Sequence, residues 1–146
     1  MKRFAIGVGV LTIPDRYDAD HTHEDGDSGV IWDPLDREIS ICVGVTSVRT
    51  KRKNLARREL TKMAQKFGIQ PDIDGERILL RYLRPTSVPE KVALFHDVGI
   101  RNSVLSMSLF SPVAEESSPR IATVDSEMAE MARSFILCSE LELSFD

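Results

Sequence analysis

Three histidines and a crowd of carboxylates are the residues of this chain whose types and spacing could do chemistry. Between Asp15 and Asp27 stand six acids, Asp15, Asp18, Asp20, Glu24, Asp25 and Asp27, against the single Arg16, a net charge of −5. His21 and His23 lie among them. Oxygen donors suit calcium, and imidazoles with carboxylates suit zinc. On an extended segment His21 and His23 would put both rings on one side. With His96 as a third ligand they would serve a metal-dependent hydrolase or a metal-binding regulator. The calcium version fails on spacing. Counted from Asp18, position six of an EF-hand loop is His23 rather than glycine, and position twelve is Gly29 rather than glutamate. The expectation is a solvated acidic loop available to a partner, with metal chemistry as the alternative and no cofactor assigned.

The next charged segment has the opposite sign. Arg49, Lys51, Arg52, Lys53, Arg57, Arg58 and Lys62 oppose only Glu59, a net +6. Such a patch could bind nucleic acid. Against that, the whole chain is acidic and only 6% aromatic, which leaves few rings to stack on bases. Arg49, Arg52, Arg57 and Arg58 are therefore expected to line a protein contact or to solvate a helix face. From Glu115 to Asp146 the balance is −6, so the chain is banded acidic, basic, acidic. Banding of this kind supports pairing within the chain or with a charged partner.

Recognisable catalytic motifs do not stand out. Gly7-Val8-Gly9 is half of a dinucleotide-binding loop, without the third glycine or the helix that must follow. Walker A, GxSxG and HExxH patterns are missing from the sequence. His96 and Asp97 are adjacent on an expected strand, so their side chains should point to opposite faces and not act as a pair. Trp32 and Tyr82 are the best aromatic anchors for an interface, though Trp32 is expected in the core.

The elements that position these residues follow from periodicity and punctuation. The chain has 146 residues, 42% of them hydrophobic, and a net charge of −4. That is one domain, 1–146, with material for a core, and it excludes a disordered chain or a disulfide scaffold. No run approaches the length of a membrane span. Phe4 to Val10 is too short, and too broken by glycine, for a signal peptide, so a cytoplasmic protein is expected. Cys42 and Cys138 sit in apolar runs, where a thiol behaves as a small hydrophobe.

Phe4 to Leu11 alternates with a period of two and reads as one strand ended by Pro14. Asp15 to Gly29 is expected to be loop. Val30 to Trp32 and Glu38 to Val48 should form a hairpin about Asp33-Pro34-Leu35-Asp36. The spacing of Leu55, Leu60, Met63, Ala64 and Phe67 predicts a helix over Lys53–Phe67, stopped by Gly68. Strands follow at Arg77–Leu83, Lys91–Val98 and Ser103–Phe110. Met128, Met131, Ala132, Phe135 and Ile136 mark a second helix over Thr123–Cys138. Leu141, Leu143 and Phe145 then close the chain as a strand or helix extension. The expected class is α+β: a mainly antiparallel sheet of about six strands with two helices on it, in the order β-β-β-α-β-β-β-α.

That order, with an opening strand ending in the proline of "VGVLTIPDRY", the hairpin "SGVIWDPLDREISICVGV" and a basic-faced helix, resembles the PsbP/DcrB-like superfamily. The resemblance implies an α/β/α sandwich and a binding or adaptor protein rather than an enzyme. Some members act as chaperone-like adaptors of bacterial secreted effectors. The functional expectation is a non-catalytic protein-binding module of a bacterium, an immunity or adaptor protein for a toxin or effector. A homodimer is left open.

Overall fold

The computed structural model describes residues 1–49, 52–112 and 118–139. Lys51, and the closing segment with Leu141, Leu143 and Phe145, lie outside the described residues. The first strand expected from the alternation is in fact two. Gly7 takes φ +56°, the left-handed region that a side chain disfavours. The chain reverses there, and β1 (Lys2–Ile6) pairs antiparallel with β2 (Gly9–Ile13).

The seven-stranded sheet comprises β3 (Asp18–His21), β4 (Ser28–Asp33), β5 (Asp36–Ser47), β6 (Asp72–Asp74), β7 (Arg77–Pro85), β8 (Lys91–Ile100) and β9 (Ser103–Pro112). Its spatial order is β3-β4-β5-β9-β8-β7-β6, and every neighbouring pair is antiparallel. The helices are α1 (Leu55–Phe67) and α2 (Pro119–Ser134). After α2 the chain enters β10 (Ile136–Leu137), which pairs with β2 and completes a three-stranded sheet. The α+β class and the two helices are as expected, but the strands number ten among the described residues, not about six. β3 lies in the expected acidic loop and β6 in the expected turn after α1.

The second helix begins four residues earlier than its apolar stripe suggests. Ser118 Oγ accepts from the Ile121 N–H, and Pro119 fills the first turn, where its missing N–H costs nothing. The stripe itself behaves as expected, with Met128, Met131, Ala132 and Phe135 buried. The helix ends at Ser134, so Ile136 falls in a strand.

Alternation along the strands divides the molecule into layers. On one face of the large sheet Ile31, Ile41, Val98 and Met107 join the β1–β2 hairpin and α2 in the larger core. On the other face Ile78, Leu80 and Tyr82 meet Leu60 and Ala64 of α1. α1 can lie this close because residue 99 is glycine. A Cβ there would sit 2.9 Å from Ala56 Cβ and 3.0 Å from Leu60 Cδ1. The β8–β9 turn pins the start of the helix: the Leu55 N–H donates to Asn102 Oδ1 at 3.0 Å and the Ala56 N–H to the Arg101 carbonyl at 2.8 Å. Those are backbone donors that a helix leaves unpaired at its start.

Candidate protein-docking face

α1 packs on β7 and β8 and reaches β9. The same face of the sheet continues across β5 and β4 to the edge strand β3 without a helix among the described residues. The register says which side chains stand on it. Cys42 lies between Val30 and Ser108, Gly44 lies between Ser28 and Ser106, and Trp32 is opposite Ser40. Their neighbours Ile31, Ile41 and Val43 point the other way, into the core. The sequence reading expected Trp32 in the core and took Cys42 for a small hydrophobe in an apolar run. Trp32 is only half-buried and Cys42 is exposed, because their strand positions share the parity of this uncovered face. Cys138, read in the same way, is exposed beyond β10.

Small side chains make the face concave. Over Cys42, Gly44, Ser106 and Ser108 lies a shallow depression of about 320 Å³. A second, of about 360 Å³, opens beyond the C-terminal end of α1 and is walled by aromatic rings. Tyr82 and Phe95 stack with centroids 4.9 Å apart, Phe67 packs on Tyr82 at 5.1 Å, and the Arg84 guanidinium lies 4.5 Å from the Phe67 centroid. Phe110 borders the same depression and is 49% exposed.

A buried acid braces the floor. Asp97 is 2% exposed; Tyr82 donates its hydroxyl to Oδ2 at 2.7 Å and Ser106 donates to Oδ1 at 2.6 Å. These contacts tie β7, β8 and β9 together across the face. Burial pushes the Asp97 carboxyl above the usual carboxylate range, and the two hydroxyls pull only partly against it. Tyr82 is pushed up too, first by burial and then by its bond to Asp97.

The residues expected to bind a partner fall on β3, in the segments on either side of it, and on and just before α1. Asp18 and Asp20 are opposite Trp32 and Val30, so they share the parity of the uncovered face. Asp18 Oδ1 is 3.3 Å from Lys2 Nζ, and Asp15 is 2.6 Å from the Met1 amino group. Asp20 accepts from the His21 N–H and Asp25 from the Asp27 N–H, which shapes the loop. The Asp27 carbonyl accepts from Val45 N–H, and Glu24 is exposed. Arg58 projects from α1 into solvent, and Arg57 Nη2 donates to the Gly75 carbonyl at 2.8 Å. Arg49 is exposed before α1, and the Arg52 carbonyl accepts from Asn102.

The three-histidine constellation is not assembled. His21 stacks on Phe4 with centroids 4.9 Å apart and its Nε2 lies 2.6 Å from the Ala5 carbonyl. His96 is on β8, four strands away from β3, a separation of roughly 19 Å. His23 lies in the loop beyond β3. Among the described residues no three His, Cys, Asp or Glu side chains are placed to hold a metal.

Two relationships escaped the sequence. His96 and Asp97 do point to opposite faces, as adjacent strand residues must, and each finds a distant partner instead. Asp97 takes Tyr82 and Ser106, while His96 Nε2 lies 2.6 Å from Asp125 Oδ1 of α2. Two acids of the third charge band, Asp125 and Glu127, are paired within the molecule, and so is its Arg120. Arg81 holds Asp125 with two donors, Arg16 holds Glu127, and Arg120 from α2 reaches Glu38 of β5. A signal existed for α2, since Asp125 lies next to the buried Val124 and so at the margin of the apolar stripe.

Comparison with known proteins adds a fold. No family model matches the chain, and no curated protein matches it significantly. The architecture is similar to a crystal structure from Bacteroides thetaiotaomicron, with a TM-score of 0.65, 13% identity and 93% of this chain covered. The chain spans 48% of that protein's length. It is also similar to the solution structure of cyanobacterial PsbP from Synechocystis, with a TM-score of 0.44, 12% identity, and coverage of 93% of this chain and 91% of that one. A superposition at 0.44 carries nothing further.

Proposed function

We propose that the chain is a non-catalytic protein-binding module that docks a partner on the open half of its seven-stranded sheet, as an immunity or adaptor protein for a secreted bacterial toxin or effector. One observation carries this: the face over β4, β5 and β9 holds a recess floored by small side chains, and the partly exposed Trp32 and Phe110 stand on the same strands. Half-exposed aromatic rings are among the anchors that dominate protein interfaces. The charged segments add direction. An acidic edge at β3 and a basic helix at α1 steer a partner of complementary pattern and fix its register. Among the described residues no helix is long and apolar enough to cross a membrane.

The test is capture from native lysate with three baits: the wild type, Cys42→Arg on the open face, and Ala122→Arg on the exposed side of α2. Both substitutions fall at exposed positions and leave the cores intact. A partner held by the wild type and Ala122→Arg, but lost by Cys42→Arg and weakened by salt, supports the reading. A partner lost only by Ala122→Arg, or none above background, contradicts it.

A further inference from the structure

On the side of the sheet away from α1, between α2 and the β6–β7 edge, lies a cleft of about 200 Å³. The buried His96 forms its floor, Leu79 and Ala129 line its walls, and the exposed Gln70, Asp72 and Arg133 stand at its mouth.

The floor is chemically defined. Arg81 donates to Asp125 from Nε at 3.0 Å and from Nη2 at 2.7 Å, a two-donor grip that keeps this carboxyl ionised. An ionised Asp125 accepts, so the proton in the 2.6 Å contact belongs to His96 Nε2. Burial, the largest influence, holds His96 below the usual imidazole range, against the pull of Asp125. The ring is therefore neutral near pH 7, and its Nδ1 is a bare lone pair. Nδ1 has no partner among the described residues, although the side chain is only 6% exposed. Among those residues no fully enclosed side-chain polar atom lacks a hydrogen bond. A bare Nδ1 must therefore face open space, and the cleft is the space that His96 lines.

The charges around the cleft balance. Arg81 is matched by Asp125, and Arg133 Nη2 lies 3.4 Å from Asp72 Oδ2. Among the described residues, the two guanidiniums at the cleft are each already paired with a carboxylate, which disfavours an added anion. The group that suits the site must donate to Nδ1 and accept from a guanidinium, and a hydroxyl does both. A cavity of roughly 150 Å³ accommodates benzene, so this one suits a molecule of small-sugar size.

We propose that this cleft binds a small uncharged hydroxyl-bearing molecule of the polyol or monosaccharide class, with one hydroxyl donating to Nδ1 of His96 and another accepting from Arg133.

The experiment follows the imidazole nitrogens of the full chain, labelled with ¹⁵N-histidine, during titration with D-ribose and with glycerol. The expected result is a saturable change at His96 Nδ1, with His21 and His23 unmoved. Arg133→Gln should weaken the ribose response roughly tenfold, the loss of about one hydrogen bond. Ala129→Leu, which fills the cleft from a half-buried position, should abolish it while the spectrum remains that of a folded chain. D-ribose 5-phosphate should bind no tighter than ribose. Three results overturn the proposal: no saturable change at His96 with either probe, a response undiminished in Ala129→Leu, or tighter binding of the phosphorylated sugar.

Discussion

Nε2 of His96 on β8 and Oδ1 of Asp125 on α2 lie 2.6 Å apart, and this one contact joins the middle of the sheet to the helix that covers it. Its pH behaviour follows from burial. His96 titrates below its ordinary 6.5 in the folded chain. Below pH 6.5 the unfolded chain therefore takes up a proton that the folded chain refuses. Stability is full above 6.5 and falls as pH drops from there toward the folded value. Arg81 and Asp125 face the ring from β7 and α2, and Asp97 adjoins it along β8. Asp97, raised by burial, has the opposite sign: its contribution is full below 3.8 and is lost as pH rises through its folded value. Denaturant unfolding between about pH 7 and about pH 5 should show the wild type losing more stability, as pH falls, than His96→Gln does. Equal slopes in the two proteins would contradict this account.

Asp97 is a buried carboxylate with hydroxyl partners, and its two simplest replacements should behave very differently. Asp97→Asn keeps an acceptor and removes a charge that burial disfavours. The Tyr82 and Ser106 hydroxyls rotate to suit the new amide. Its cost should be within about 1 kcal/mol of zero, of either sign. Asp97→Ala strands both hydroxyls and should cost about 2–4 kcal/mol. Urea midpoints of the two variants check the order.

Gly99 sets the distance between α1 and the sheet. Gly99→Val would drive side-chain atoms into Ala56, Ile78 and Leu60, where even a Cβ lies within 3.0 Å. Overpacking of this kind costs about 1–3 kcal/mol. Amide exchange should rise along α1 and stay unchanged along α2, whose contacts lie on the other face.

The layered architecture was legible where apolar residues alternate under a helix. Ile78, Leu80 and Tyr82 on β7, and Leu105, Met107 and Leu109 on β9, face the cores that their spacing assigns. β3 was not legible, because Asp18-Ala19-Asp20-His21 is an edge strand with no apolar alternation, paired on one side only. The split at Gly7 was hidden because the alternation runs unbroken through the turn. The candidate face was hidden for a different reason. Periodicity shows that Cys42 and Trp32 share a side of the sheet, but only the placement of α1 decides that this side is bare. The same holds for His96 and Asp125, 29 residues apart and brought together by packing alone.

The docking face is tested most directly by asking where a partner touches. A photo-crosslinker attached to the Cys42 thiol, in a Cys138→Ser background, reports on the open face. The same crosslinker at Ala122→Cys, with both native cysteines replaced, reports on the outside of α2. In native lysate we expect position 42 to give a discrete protein adduct that excess unlabelled protein competes away, and position 122 to give none. An adduct from position 122 alone, or none from position 42, would contradict the central claim.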